Sequence, residues 1–493
     1  MGGVSRRPGA VIAVAWLPLA LHLTSWWGLG WGLGAARTSV STLLCCCIGL
    51  VVWSFRGMGR PGMVALFLTS TGTGLWYAYP GTVLVWSEAY RQQALTFTQI
   101  GDRDLTAVAA VLLFFGCCTT LSQIGMRGAA VRPARRQGRQ LSPRRLASLG
   151  LIYVVLGVAP LVVLSSSLRS AIEAVGESRH AEKDWVTTDN VGNARSALLV
   201  LTSSLGVAGG AALLVGVLHP GVGRLGRGAS LCLGLAVGFV FALDTGTRAV
   251  AVLLFLPPFG AWLIDRTLQR KGRIGVWIGA GAIGLFVAQN QLLTLRGHYG
   301  AVDGNRGILD VITLSGTIDF FSETLLSFTF VPQIHGFFHE NSVVMFLTNP
   351  IPRFLWPGKP LSEVAWDYAF WRSNIDIYAG GGNILSGVVG QEYMSWGWLG
   401  VIEAALVIGL VAAWLERIAA RAVQAGEPAV LAAPVMAGAW LVLCFRMLSP
   451  GLVYPVVAFF ALLRLAQVRP KGAVVVYERC APLVLRANGG DAA

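Results

Sequence analysis

The spacing of its apolar runs constrains this chain more than any other feature. Stretches of roughly 17–22 residues, nearly free of charge, recur from residue 10 to residue 467. That is the length an α-helix needs to cross a hydrocarbon core about 30 Å thick, whereas a barrel strand is shorter and alternates. Within lipid a helix also satisfies its own backbone donors and acceptors. The spans read as 10–30, 38–55, 62–80, 105–124, 148–165, 196–218, 229–243, 247–265, 274–291, 394–415, 429–447 and 450–467. Nothing outside them has the apolar content of a soluble core. The expectation is an all-α polytopic membrane protein of about 12 transmembrane helices. It forms one integral membrane domain over residues 1–493, with one large extracytoplasmic loop at about 292–393 and a tail at about 468–493.

Composition agrees: 55% of residues are hydrophobic and 13% charged, against about 25% charged in a soluble domain. The net charge of +14 does not indicate nucleic acid, because the basic residues occupy short gaps between apolar runs. With the N-terminus inside, 24 of the 38 Lys and Arg residues fall on the inner side and 18 of the 24 acids outside. This is the positive-inside pattern of a bacterial inner-membrane protein with both termini in the cytoplasm. The basic loop 125–147 reads as a topology-setting segment rather than a lipid head-group site. Arg6 and Arg7 resemble a signal n-region, but no small-residue cleavage site follows, so 10–30 reads as the first helix. Gly206/Gly210 and Gly275/Gly279 have small-xxx-small spacing, as chance allows among 61 glycines. No CxxC or HExxH spacing offers a metal site.

Three places hold polar residues that a membrane protein does not carry without reason. Asp244 and Arg248 lie between apolar runs, where an ionisable group costs roughly 2.5–3.5 kcal/mol on insertion scales. They either serve a site or close a helix hairpin. The outer loop is the second place, since a connection of such length usually carries function. It contains Arg296 and His298, the apolar stretch 320–330, then Arg353, Trp356, Lys359, Asp367 and Arg372. Segment 320–330 is apolar enough for an amphipathic helix lying at the membrane surface. Aromatic faces beside guanidinium groups suit a sugar-phosphate ligand, although a membrane-interface belt has the same composition. The third place is Gly390–Gly400, where Glu392 either orients an acceptor hydroxyl or caps a helix start, with Tyr393 beside it.

The succession LDTGTRAVAVLL (243–254), NPIPRFLWPGKP (349–360) and GQEYMSWGWLGVIEA (390–404) resembles the Wzy-type polymerases. These join lipid-linked oligosaccharide repeat units into O-antigen, capsule or exopolysaccharide. The resemblance spans roughly residues 230–415. It implies a GT-C-like glycosyltransferase acting on undecaprenyl-pyrophosphate-linked oligosaccharide, with no cofactor or metal, working beside a flippase and chain-length regulators among membrane lipids. An Arg-x10-Gly pattern goes with that family. Arg296 and Gly307 fit it, whereas Arg353 has Val364 at the glycine position.

The chemistry such a reaction needs is plain. Guanidinium groups stabilise charge developing on a departing pyrophosphate, and a carboxylate or imidazole takes the proton of the attacking hydroxyl. The substrate-binding candidates are Asp244, Arg248, Arg296, Arg353, Lys359, Arg372, Trp356 and Tyr393. The catalytic candidates are Glu392, Asp367, His298 and His335. Two rivals remain: a ligase that transfers finished glycan, and a transporter of polysaccharide or lipid-linked sugar. A transferase using polyprenyl monophosphate sugars is disfavoured, because its first outer loop carries acids and Trp31–Arg37 has none.

Overall fold

The computed structural model describes residues 7–29, 32–57, 62–88, 102–127, 140–164, 194–219, 222–245, 248–268, 320–341, 344, 348, 351, 356, 363–373, 386–425, 428–446 and 453–468. Helices dominate. They are α1 (Arg7–Leu29), α2 (Leu33–Arg56), then α3 (Met63–Thr73), which passes through a π-helical turn (Gly74–Ala78) into α4 (Tyr79–Trp86). There follow α5 (Asp102–Arg127), α6 (Pro143–Leu164), α7 (Ala194–Gly216), α8 (Arg224–Thr245) and α9 (Arg248–Leu268). The last group is α10 (Phe320–Phe330), α11 (Glu363–Ser373), α12 (Gly387–Trp396), α13 (Trp398–Ala425), α14 (Pro428–Cys444) and α15 (Val453–Ala466). A short antiparallel pair joins β1 (Gln140–Leu141) to β2 (Gln467–Val468).

Where their residues are described, the predicted spans fall on helices, though 394–415 is broken at Gly397; 274–291 lies outside the described residues. Among the described residues four helices are long and apolar enough to cross a membrane: Pro8–Gly28, Leu33–Arg56, Asp104–Met126 and Trp398–Val423. Shorter apolar helices include Leu201–Gly216, Val252–Ile264, Ala429–Cys444 and Val453–Ala466. The seventh span is longer than its apolar run suggests, because α8 begins at Arg224. On α13, Leu399, Ile402, Leu406, Leu410 and Trp414 form an exposed stripe, while Val401, Ala404, Ala405, Ile408, Ala412 and Leu415 are buried. An exposed apolar stripe of that length is a liability in water and the expected outer surface of a helix in lipid.

Contacts between helix ends show that neighbouring helices alternate in direction. At one end Trp16 Nε1 donates to Thr120 Oγ1 (2.8 Å), Gln123 Nε2 to Gly62 O (3.1 Å) and Ala65 N to Glu416 Oε2 (2.8 Å). Arg417 reaches Gly125 O there, and Ser142 N donates to Ala466 O. At the other end Arg37 Nε donates to Val85 O (3.0 Å), and His22 Nδ1 lies 2.7 Å from Ser39 Oγ. Arg56, Arg127, Arg144, Arg145, Arg224, Arg227, Arg417, Arg421 and Arg464 all belong to helix termini of the first end. The buried Glu416 carboxylate caps the start of α3, where the helix presents unsatisfied N–H groups.

Glycines set the closest approaches. A Cβ on Gly157 of α6 would stand 2.5 Å from Gly206 Cα of α7, and one on Gly209 would stand 2.6 Å from Gly150 O. Gly206, whose spacing the sequence left to chance, is therefore a packing residue. Gly210 is one too, facing Leu254 and Val237. The colliding atoms at Gly157 are backbone, so no rotamer change relieves the clash. Gly157→Ala is expected to lower stability by about 1–3 kcal/mol, read as a lower melting temperature in detergent. Gly216→Ala, where a Cβ meets nothing within 4 Å, is the matched control and should melt like the parent.

Candidate functional site

Residues 320–341, 363–373 and 386–396 fold onto the end of the bundle opposite the arginine-rich one. Helix α10 does not lie at the membrane surface as an amphipathic helix. Phe320, Phe321, Ser322, Thr324, Leu325, Leu326, Ser327, Phe328 and Phe330 are buried, and the helix packs on α4, α5, α12 and the π-helical turn. Its single charge, Glu323, is matched by partners, which removes the need for a water-facing side.

Both ends of α12 are satisfied by distant parts of the chain. At its start Val389 N donates to Tyr77 Oη (3.2 Å) and Val388 N to Phe445 O (3.3 Å), while the Tyr77 hydroxyl donates to Phe445 O (2.8 Å). The π-helical turn places Tyr77 and Trp76 on this side, and Trp76 Nε1 donates to Val442 O (2.7 Å). At the far end Phe338 N and His339 N donate to Met394 O (3.1 Å) and Ser395 O (2.9 Å). These bonds occupy terminal groups that a short helix leaves open. Glu340, in the irregular segment 331–341 that follows α10 (the strap), also accepts from Val364 N (3.1 Å), capping α11, and its carbonyl accepts from Trp396 Nε1. The chain then reverses at Gly397 (φ 59°) into α13.

Helix α11 uses two adjacent faces. Tyr368 and Arg372, one turn apart, address Glu323: the phenol donates to Oε2 at 2.6 Å and the guanidinium Nε lies 3.4 Å from it. Asp367 and Trp371, also one turn apart, address the strap. Trp371 packs on Phe330 (5.0 Å between ring centroids), and Asp367 Oδ2 lies 3.7 Å from His335 Nε2. The His335 ring is nearly parallel to Phe338 at 4.1 Å, and its Nδ1 is 2.7 Å from Gly336 O. A carbonyl only accepts, so Nδ1 donates to Gly336 O and Nε2 is the ring nitrogen that faces Asp367. Both side chains are about half exposed, at 44% and 52%. A basic nitrogen with a carboxylate placed to stabilise its protonated form is the arrangement a general base requires.

The other candidates lie in varied places. Tyr393 is buried, stacked on Phe328 (3.6 Å) and edge-on to Phe337 (6.0 Å); burial pushes its phenol up from the ordinary value. Glu392 is 2% exposed within α12, away from solvent. Trp356 is exposed. Asp244 and Arg248 stand at the end of α8 and the start of α9, and their side chains lie outside the described residues, as do Arg296, His298, Arg353 and Lys359. Thus His335, Asp367 and Arg372 come together around α11, with Tyr393 in the aromatic layer below.

Sequence reasoning passed over Glu323, Tyr368, Glu340, Tyr77 and Arg446, whose guanidinium lies 5.5 Å from the Phe320 ring. Glu323 had a signal, being the one charge in an eleven-residue apolar helix. Tyr77 had none, since its partners at 389 and 445 are more than 300 residues away. Among the described residues no three His, Cys, Asp or Glu side chains cluster as metal ligands would. Comparison with family models, curated proteins and solved structures finds no match to this chain.

Proposed function

We propose that this chain is a GT-C-like membrane glycosyltransferase that polymerises undecaprenyl-pyrophosphate-linked oligosaccharide repeat units into a surface polysaccharide. In this reading its 12 spans place the arginine-rich end in the cytoplasm and the α10–α12 cluster at the outer face of the cytoplasmic membrane. The observation that carries the reading is the His335–Asp367 pair held on an aromatic platform at the arginine-poor end.

The acceptor sugar hydroxyl donates to His335 Nε2, and its oxygen attacks the anomeric carbon of the donor glycan. The bond from that carbon to the pyrophosphate oxygen breaks, and undecaprenyl pyrophosphate leaves. The proton stays on Nε2, where the Asp367 carboxylate stabilises the imidazolium. Arg372 contributes positive charge toward the departing pyrophosphate, with Arg248, Arg296, Arg353 and Lys359 as further contacts. Phe337, Trp356 and Trp396 offer exposed aromatic surface for sugar rings. Two lipid-tethered substrates held at one membrane face gain the orientation term that drives such reactions.

Deleting the gene separates the rivals. Loss of this polymerase leaves single repeat units on the polyprenyl carrier and no long surface polymer, as resolved by mass spectrometry of extracted lipid-linked glycans. Long polymer stranded on the carrier would assign the chain as a ligase instead, and units trapped on the inner leaflet would make it a transporter.

A further inference from the structure

The arginine-rich end of the bundle carries a feature that the glycan chemistry does not use. A groove of about 400 Å³ lies between the first turns of α6 and the last turn of α15, lined by Arg144, Arg145, Ser148, Leu149 and Leu465. Its walls are fixed by backbone. Residues Gln140 and Leu141 pair with Val468 and Gln467, and Ser142 N donates to Ala466 O at 3.0 Å, so the two helix ends are held side by side. Leu141 and Leu146, both buried, anchor the start of α6 beneath. Along α6 the lining runs from Arg144 and Arg145 to Ser148 and Leu149 one turn on, with Leu465 of α15, which is 57% exposed, completing it.

Guanidinium groups at the helix start with a hydroxyl and hydrocarbon one turn on match the parts of a phospholipid from phosphate to acyl chain. We propose that this groove binds the phosphodiester head group of an anionic phospholipid. Arg144 and Arg145 contact the phosphate, Ser148 the glycerol region, and Leu149 with Leu465 the first acyl carbons. Arginine suits this place because its planar fork meets phosphate oxygens in pairs, and the start of α6 adds the positive end of the helix dipole. A soluble phosphate shares the phosphate chemistry but leaves the exposed Leu465 uncovered, which favours the lipid. The site stands apart from the α10–α12 cluster and does not depend on the transferase reading.

The full-length protein in nanodiscs of equal phosphatidylglycerol and phosphatidylcholine tests this, with retained lipid counted by native mass spectrometry. Phosphatidylglycerol is expected to be retained over phosphatidylcholine by at least about fivefold, the ratio one basic residue supplies at ~1 kcal/mol near an anionic surface. The preference should vanish in Arg144→Gln/Arg145→Gln and also in Ser148→Trp, which fills the groove while keeping both arginines. Equal retention of the two lipids by the parent protein overturns the proposal. So does an undiminished preference in Ser148→Trp, which would place the effect on surface charge alone. Inorganic phosphate that competes the lipid away from the parent protein would reassign the groove to a soluble anion. The Ser148→Trp arm decides the matter if the double variant does not purify as a single species.

Discussion

His335→Phe is expected to lower the rate of sugar transfer by about 100- to 10,000-fold, the range that a positioned general base contributes. Phenylalanine keeps the parallel stacking on Phe338 and removes only the ring nitrogens, so a loss of rate without a loss of melting temperature isolates the proton-accepting role. Asp367→Asn keeps the shape of the carboxylate and loses its charge. It should act in the same direction by about tenfold, because the imidazolium then forms without its counter-charge. The measurement is elongated product per unit of protein, with membrane levels matched by immunoblot. A His335→Phe enzyme with parent rates would assign His335 to packing alone.

The second large effect concerns folding. Where α12 reverses into α13, a Cβ on Gly400 would overlap the Glu392 carbonyl oxygen, and the atoms in conflict are backbone. Gly400→Ala therefore has to pull the two helices apart, at about 3 kcal/mol or more, the upper end of overpacking costs. Gly397 is different. Its Cβ would meet only the Phe337 ring at 3.4 Å, but its φ of 59° suits glycine alone, so Gly397→Ala carries about 1–3 kcal/mol of backbone strain. Thermal unfolding in detergent should rank parent above Gly397→Ala above Gly400→Ala. Opening this turn also releases the bonds that Met394 O and Ser395 O accept from the strap. The His335 side of the cluster should then become accessible to protease.

The helices were legible because length and apolar content act locally: Asp102–Arg127 and Leu33–Arg56 could be read without knowing their neighbours. The membrane-surface reading of 320–330 failed for the opposite reason. Whether an apolar helix lies on lipid or is buried depends on what packs over it, and here α12 and the π-helical turn do. The break at Gly397 was also hidden, since the sequence runs apolar through Tyr393–Leu399 and only the positive φ stops the helix. Among the site candidates, aromatic and basic composition pointed to the stretch of chain that holds the His335–Asp367 pair. It did not distinguish Asp367, which faces His335, from Glu392, which is buried within α12. That difference is a matter of helix phase and of partners 32 residues apart, His335 to Asp367, and no local pattern records it.

The central claim is that this chain itself joins lipid-linked repeat units. The direct measurement uses the purified protein in liposomes, supplied with lipid-linked oligosaccharide extracted from the deletion strain and kept in EDTA, with products resolved by length. The account predicts a ladder of multiples of the repeat unit, formed by the parent protein and missing with His335→Phe. Repeat units that stay single with the parent protein, or a ladder that appears only when magnesium or manganese is restored, would contradict it.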